Sequence, residues 1–149
     1  MRGTTNMRNV RESGSVLPLN EYNFQITDKK DKTSSNGDPM VNITLTVIDG
    51  EYKGDVVYDN ILIPAPDSPA ARILGRTKHF LHCINEEYEG EEVIWDSDNW
   101  LGKTIKAMIA HEEPNQYHRN KRAVISEYML DEEGLAQKAM QNEGVPSPF

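Results

Sequence analysis

The sequence predicts an all-β fold with a single helix, in which five strands and the helix follow the order β-β-β-α-β-β. Over several short segments, apolar side chains alternate with polar ones, which is the pattern of half-buried strands. Residues 70–84 contain no proline and instead repeat their apolar side chains at helical spacing. A chain of 149 residues is the size of one domain with one core.

The second predicted strand shows the alternation most clearly, because Val41, Ile43, Leu45 and Val47 are separated by polar residues. The polar stretch before it, residues 29–39, contains Gly37 and predicts a loop. Glycines after the second strand predict a short hairpin connection to the third. The five predicted strands cover residues 22–26, 41–47, 56–63, 104–109 and 123–128.

The predicted helix begins after Ser68-Pro69, a pair that fits a capping residue followed by a first-turn proline. Gly75 weakens this helix, since an interior glycine costs about 1 kcal/mol relative to alanine. The acidic segment that follows, residues 86–98, is predicted to be a solvated connection. We therefore divide the chain into an N-terminal arm (1–18), one folded domain (19–129) and an acidic flexible tail (130–149).

Cysteine content and hydropathy limit the class of protein. A single cysteine, Cys83, excludes an internal disulfide framework and suits a reducing compartment. No apolar run is long enough for a membrane span, and no apolar stretch follows the N-terminal arginines as in a secretory signal. The expected location is therefore the cytoplasm.

The net charge of −8 argues against nucleic acid until its distribution is considered. Residues 86–98 carry seven carboxylates and no lysine or arginine, and residues 127–149 carry a net charge of −4. The remainder of the chain is mildly basic, with a net charge of +3. The acidic character is thus confined to two segments.

Five strands with one helix between the third and fourth is the layout of the OB-fold, a small Greek-key barrel. In that fold, oligonucleotides cross the face of strands 2 and 3 and contact the loops between strands 1 and 2 and between strands 4 and 5. The two tightest basic clusters of this sequence are predicted to lie in those two loops. The candidate nucleic-acid contacts are Lys29, Lys30, Lys32, Tyr52, Lys53, Lys103, Lys106, Tyr117, Arg119, Lys121 and Arg122.

The cations in this set would neutralise phosphates, and the aromatic side chains would stack on bases. Tyr58, Trp95 and Trp100 are further stacking candidates, although Trp100 fits a core position better. Tyr22 and Phe24 are likewise better explained as core residues. Solvated lysines in polar loops remain the alternative explanation for both clusters.

The sequence gives weaker support for a metal site or a catalytic site. His79, His82 and Cys83 have a spacing that could direct ligands to one side of a helix, but zinc requires four ligands and there is no second cysteine. His111 lies beside acidic residues, yet no nucleophile or phosphate-binding loop accompanies it. We expect no metal, no cofactor and no catalytic residue.

From Tyr22 to Tyr128 the chain resembles a phage family of OB-fold single-stranded DNA-binding proteins, long catalogued only as a domain of unknown function. The most specific match is Val47-Ile48-Asp49-Gly50-Glu51-Tyr52-Lys53-Gly54, followed by Tyr58-Asp59-Asn60-Ile61. Asn20-Glu21 departs from the family, where a glycine is expected. The resemblance implies an OB-fold and sequence-independent binding of single strands in phage replication or recombination, and it identifies no contact residue.

The tail is consistent with this prediction. Bacterial single-stranded DNA-binding proteins end in a flexible acidic segment with Pro-Phe at its tip, and this sequence ends in Pro148-Phe149. A terminal aromatic ring and carboxylate could enter a basic-rimmed pocket on a replication or recombination protein. The alternatives are an OB-like protein-interaction module without nucleic-acid binding, favoured by the net charge, and a small hydrolase that uses His111.

Overall fold

The structure, a computed structural model, describes residues 1–8, 16–116 and 119–130. It contains five strands and one α-helix in the predicted order, so the all-β class with a single helix is confirmed. Two 3₁₀ turns, Ala71–Ile73 and Ser97–Trp100, flank the helix. The elements are β1 (Glu21–Thr33), β2 (Pro39–Val47), β3 (Val56–Leu62), α1 (Leu74–Cys83), β4 (Thr104–Glu112) and β5 (Arg122–Met129).

All five strands form one antiparallel sheet in the order β3-β2-β1-β4-β5. The long strand β1 lies at its centre, pairing with β4 through its first half and with β2 along most of its length. Strands β3 and β5 are the two edges, and no backbone pairing joins them in the described residues. The sheet is therefore not closed by hydrogen bonds into a barrel.

Strand β1 is longer than the sequence pattern suggested, because it continues to Thr33. Its pairing with β2 shifts between Ile26 and Asp28, where a β-bulge interrupts the alternation, and then continues to Thr33 opposite Pro39. The prediction that Lys29, Lys30 and Lys32 lie in a loop is thus wrong. All three lie on the second half of β1, and backbone pairing with β2 overrides the low β-propensity of lysine and aspartate there.

The hairpin between β2 and β3 follows the predicted glycine pattern. Gly50 and Gly54 have φ angles of 78° and 97°, which glycine adopts without steric cost. The N–H of Gly54 donates to the carbonyl of Val47 at 2.9 Å, which closes the connection. The start of β3 is thereby fixed opposite the end of β2.

The core lies between one face of the sheet and α1. The inward residues of β2 are almost fully buried, as their alternation predicted. Phe80 of α1 packs edge-on against Trp100 and Tyr128, with ring centroids 5.1 Å apart in both pairs. Trp100 has no exposed surface, which confirms its core position. Leu17 is also buried, so the residue before Pro18 belongs to the packed unit rather than to an arm.

The acidic segment 86–98 is more than a solvated connection, so that prediction is wrong in part. Helix α1 ends where Asn85 adopts a left-handed conformation (φ 61°) and Glu86 N–H donates to the carbonyl of Leu81 at 2.9 Å. After this turn, Tyr88, Val93 and Trp95 are half-buried against the core. Tyr88, Val93 and Trp95 therefore hold the segment against the protein.

Helix α1 also connects the two edges of the sheet. Arg76 pairs with Asp59 of β3, at 2.7 Å from nitrogen to oxygen. A ring nitrogen of His79 lies 2.7 Å from the carbonyl oxygen of Tyr128 on β5. Side chains from one helix therefore contact both edges, and they bring β3 and β5 together where no backbone pairing does.

No helix in the described part of the chain has the length and apolar character to cross a membrane.

Candidate nucleic-acid interface

Six side chains on the outer face of β2 and β3 form a surface that we call the outer strip. Alternation buries Val41, Ile43 and Leu45 of β2, so the residues between them point outward. The register places Tyr58 opposite Thr44 and Asn60 opposite Asn42. The outer strip consists of Asn42, Thr44, Thr46, Val56, Tyr58 and Asn60.

The outer strip is uncharged and contains an exposed aromatic ring. Tyr58 is 62% exposed and Val56 is 48% exposed, so two large apolar side chains of the edge strand β3 face solvent on this surface. The amide of Asn42 donates to Asn60 at 2.8 Å, and the hydroxyls of Thr27 and Thr46 lie 2.8 Å apart. This surface offers a ring for stacking and amide or hydroxyl groups for hydrogen bonds, without a carboxylate of its own.

Two of the predicted lysines extend this surface. Lys30 pairs with Asn42 and Lys32 pairs with Met40, so both lysines share the outer face with the strip, and both are exposed. Asp28 lies on the same face opposite Thr44. The result is a polar and aromatic surface with two cations at one end and a carboxylate beside it.

Lys29 occupies a different position, on the core side of β1. Its side chain is 13% exposed, and its ammonium lies 2.6 Å from Asp98 and 2.9 Å from Asp31. It also donates to Ser97 Oγ at 2.9 Å. The hydrogen bond that Lys29 donates to Asp98, and then the one it donates to Asp31, raise the pKa of Lys29. The hydrogen bonds that Asp31 accepts from Ser97 and then from Lys29 lower the pKa of Asp31. Lys29 therefore joins β1 to the Ser97–Trp100 turn and does not face the outer strip.

Lys103 is also engaged within the protein. Its ammonium donates to the carbonyl of Ile84 at 3.1 Å and to the carboxylate of Glu86 at 2.9 Å. Those groups lie at the C-terminus of α1, where a cation interacts favourably with the free carbonyls. Lys103 is thus positioned to stabilise the end of the helix.

Lys106, Tyr52 and Lys53 lie near the opposite end of the sheet. Lys106 and Tyr52 line a cleft of about 340 Å³ that also contains the carboxylates of Glu21, Asp49 and Glu51. The ring of Tyr52 packs edge-on against Tyr22, with centroids 6.0 Å apart. Lys53 is exposed on the hairpin. The three predicted contacts lie close in the fold, but the cleft is rich in carboxylates.

The second predicted basic cluster lies beyond the end of β4. Arg119 is exposed. Lys121 lies 3.7 Å from Glu113, and Arg122 lies 2.9 Å from Glu112, so both cations have acidic neighbours. Tyr117 of this loop, and Pro148 and Phe149 of the tail, lie outside the described residues.

The sequence pattern alone did not single out the outer strip. The pattern gives Tyr58 as one of several stacking candidates, and it does not mark Val56, Asn42 or Asn60 as candidate contacts. Val56, Tyr58 and Asn60 are separated by one residue each in the sequence and therefore share one face of a strand. This alternation does not stand out, because β3 carries polar and apolar residues on both faces.

The histidines and the cysteine have structural partners. The Cys83 sulfur lies 3.6 Å from a ring nitrogen of His79, and burial raises the pKa of the Cys83 thiol to about 11, so the thiol is protonated at neutral pH. A ring nitrogen of His111 lies 2.8 Å from the carbonyl oxygen of Leu17. Within the described ranges, no group of three or more His, Cys, Asp or Glu residues is placed to hold a metal ion.

Comparison with known proteins gives one family. A family model with the description "Protein of unknown function (DUF669)" matches residues 3–134. No curated protein matches the chain. Because the model covers far more than half of the 149 residues, the chain belongs to the DUF669 family.

Proposed function

We propose that this protein binds single-stranded DNA, largely without sequence preference, on the outer face of β1, β2 and β3. The observation that carries the proposal is the exposed ring of Tyr58 at the centre of an uncharged strip, with Lys30 and Lys32 on the same face toward one end. A base can stack on the ring whatever its identity, and the lysines can pair with successive phosphates.

The proposal includes an OB-type architecture. The strand order, the single helix between β3 and β4 and the long central β1 all fit that fold. In our proposal, side chains of α1 take the place of backbone pairing between β3 and β5. The face of β2 and β3 would then be the ligand-binding face that OB-folds use for oligonucleotides.

The biological setting is proposed from the sequence resemblance described above. It supports a role in protecting single strands during phage replication or recombination in the host cytoplasm, without catalysis and without a cofactor. Replication or recombination proteins would be recruited by the tail that carries Pro148 and Phe149. Its carboxylates would also compete with DNA for the cations, which makes binding sensitive to salt.

The proposed contacts differ from the initial set in a specific way. Lys30, Lys32 and Tyr58 form the centre of the interface. In this proposal Lys53, Lys106 and Arg119 would extend it, whereas Lys29 and Lys103 pair with carboxylates of the protein itself. A centre with two cations predicts modest affinity and a shallow salt dependence.

The experiment is fluorescence anisotropy of the full chain with labelled single-stranded DNA, duplex DNA and RNA, each of about 30 nucleotides, over a salt series. We expect saturable binding of single-stranded DNA that weakens with salt, and much weaker binding of the duplex, whose bases are already stacked. Absence of binding to any of the three at low salt would contradict the proposal and favour a protein-interaction module.

A further inference from the structure

A groove on the helix side of the molecule has no role in the proposed DNA contacts. Its volume is about 570 Å³, which lies within the usual size of a ligand-binding pocket. One wall is α1, a second is the chain that follows β3, and a third is the acidic segment after the helix. Residues from these three walls include Leu74, Leu81, Ile63, Pro66, Tyr88 and Trp95.

The walls of the groove are held in place by contacts with the rest of the protein. The ring of Tyr88 stacks on His82 of α1, with centroids 4.1 Å apart. The ring of Trp95 lies 6.3 Å from that of the buried Trp100. Leu81 is buried, and Ile63 packs against the core. The apolar surface is therefore formed before any ligand arrives, which lowers the entropic cost of binding.

The rim of the groove is acidic. Glu91 and Glu92 line it and are exposed, and Glu87 and Glu89 are exposed on the same segment. Among the described residues that line the groove, Lys78 is the single cation, and its ammonium lies 3.8 Å from Glu89. An apolar floor is thus combined with an excess of negative charge at the edge.

We propose that this groove binds a peptide segment of a partner protein, with leucine, phenylalanine or proline at its centre and lysine or arginine on both sides. The apolar centre would bury itself between Leu74, Pro66 and Trp95, and the basic residues would pair with Glu91 and Glu92.

Charge complementarity selects this occupant over two others. Residues 127–149 of the same chain carry a net charge of −4, so the acidic rim repels them. A second copy of the chain carries a net charge of −8, so it gains less from the acidic rim than a basic segment does. A basic partner segment gains from the rim, and the site does not depend on whether the opposite face binds DNA.

The two tryptophans provide a direct test. In the ¹⁵N-labelled full chain, the indole N–H signal of Trp95 reports on the groove and that of Trp100 on the core, and Trp95→Phe assigns the two. Two pools of peptides of about ten residues are added. They share randomised centres of leucine, isoleucine, valine, phenylalanine and proline, and differ in basic or acidic ends. We expect the basic pool to shift the Trp95 signal saturably, and the acidic pool to leave it in place.

Substitutions at the rim and floor localise the binding. A fluorescent peptide selected from the basic pool should bind at least fivefold more weakly to Glu91→Lys/Glu92→Lys, and more weakly still to Ala65→Trp, which fills the groove. Glu127→Lys, on β5, is the matched control and should leave the affinity unchanged.

Three results would overturn the proposal. The first is that the basic and acidic peptide pools bind equally well, or that neither pool binds. The second is preferential binding of a peptide that copies residues 131–149. The third is concentration-dependent self-association in sedimentation that Ala65→Trp abolishes. Circular dichroism of each variant separates loss of binding from loss of folding.

Discussion

The phenol of Tyr128 on β5 donates a hydrogen bond to the carboxylate of Asp59 on β3, with the two oxygens 2.5 Å apart. This bond crosses the seam between the two edges of the sheet. The guanidinium of Arg76, which pairs with the same carboxylate oxygen, lies 5.2 Å from the centre of the Tyr128 ring. A helix residue and two strand residues thus close a gap that backbone hydrogen bonds leave open.

Tyr128→Phe should lower the free energy of unfolding by about 1–3 kcal/mol, because it removes a partner from a partly buried carboxylate. Tyr58→Phe is the matched control, since it removes the same hydroxyl from an exposed ring and should change stability by less than about 0.5 kcal/mol. Urea unfolding of both variants checks this prediction. Equal stabilities of the two variants would show that the seam bond contributes nothing.

Stability should fall as the pH rises above 9. Burial raises the pKa of the Cys83 thiol from 9.0 to about 11 and raises the pKa of Tyr128 well above 10.0. In the unfolded chain both groups lose their protons at lower pH than in the folded chain. The stability from keeping them neutral is present below pH 9 and is lost as the pH rises toward the folded-state values.

The variant Cys83→Ala separates the contributions of Cys83 and Tyr128 to this pH dependence. It should remove most of the decline between pH 9 and 10 and leave above pH 10 only the part that Tyr128 contributes. The expected difference in slope is below about 1.4 kcal/mol per pH unit, since the thiol is only half-buried. Urea unfolding under reducing conditions at several pH values provides the measurement. An unchanged slope in the variant would contradict the assignment to Cys83.

Lys29 and Lys30 are neighbours with opposite predicted roles. Lys29→Met should lower the melting temperature, because Asp31, Ser97 and Asp98 lose a shared partner, and should leave the salt dependence of DNA binding unchanged. Lys30→Met should leave the melting temperature unchanged. It should reduce the slope of log affinity against log salt by about 0.7, the value for one phosphate contact on a single strand.

Thermal unfolding and salt titrations of the two variants make the comparison. If Lys29→Met reduced the slope and Lys30→Met did not, the proposed assignment of the β1 lysines would be reversed.

Asp28 should weaken DNA binding, because its carboxylate shares the outer face with Lys30 and Thr44. Asp28→Asn removes this repulsion and should tighten binding by about two- to fivefold, the range for one exposed charge interaction. Glu127→Gln, exposed on β5, removes the same charge away from the outer strip and should have a smaller effect. Equal gains from both would indicate a general charge effect and no local site.

The alternating residues of β2 predicted the central part of the sheet because burial on one face leaves a clear period of two. The length of β1 could not be predicted in the same way. Its second half is held by pairing with β2 after a bulge, and neither feature leaves a hydrophobic pattern. The packing of Tyr88, Val93 and Trp95 could not be predicted, because the four large apolar residues of segment 86–98 show no regular period and stand beside seven carboxylates.

The sequence predicted the residue types of the candidate site better than it predicted where the individual lysines lie. Lysines and aromatic residues were expected to form the interface, but the sequence could not show that Lys29 and Lys103 are occupied by Asp98, Asp31 and Glu86. Asp31 is two residues from Lys29, but Asp98 and Glu86 are distant in the chain from the lysines that they pair with and are brought near by the fold. Lys30 and Lys32 remain exposed because the bulge turns them to the other face.

The most direct test of the central claim is the affinity of Tyr58→Ala for single-stranded DNA, measured by anisotropy beside the unmodified chain. Loss of a stacking ring should cost about 1–3 kcal/mol. Tyr58→Trp, which keeps an aromatic ring, should bind at least as tightly as the unmodified chain. Leu101→Ala removes an exposed apolar side chain elsewhere and serves as the control. We expect weaker binding for Tyr58→Ala alone, and unchanged affinity in that variant would contradict the proposed site.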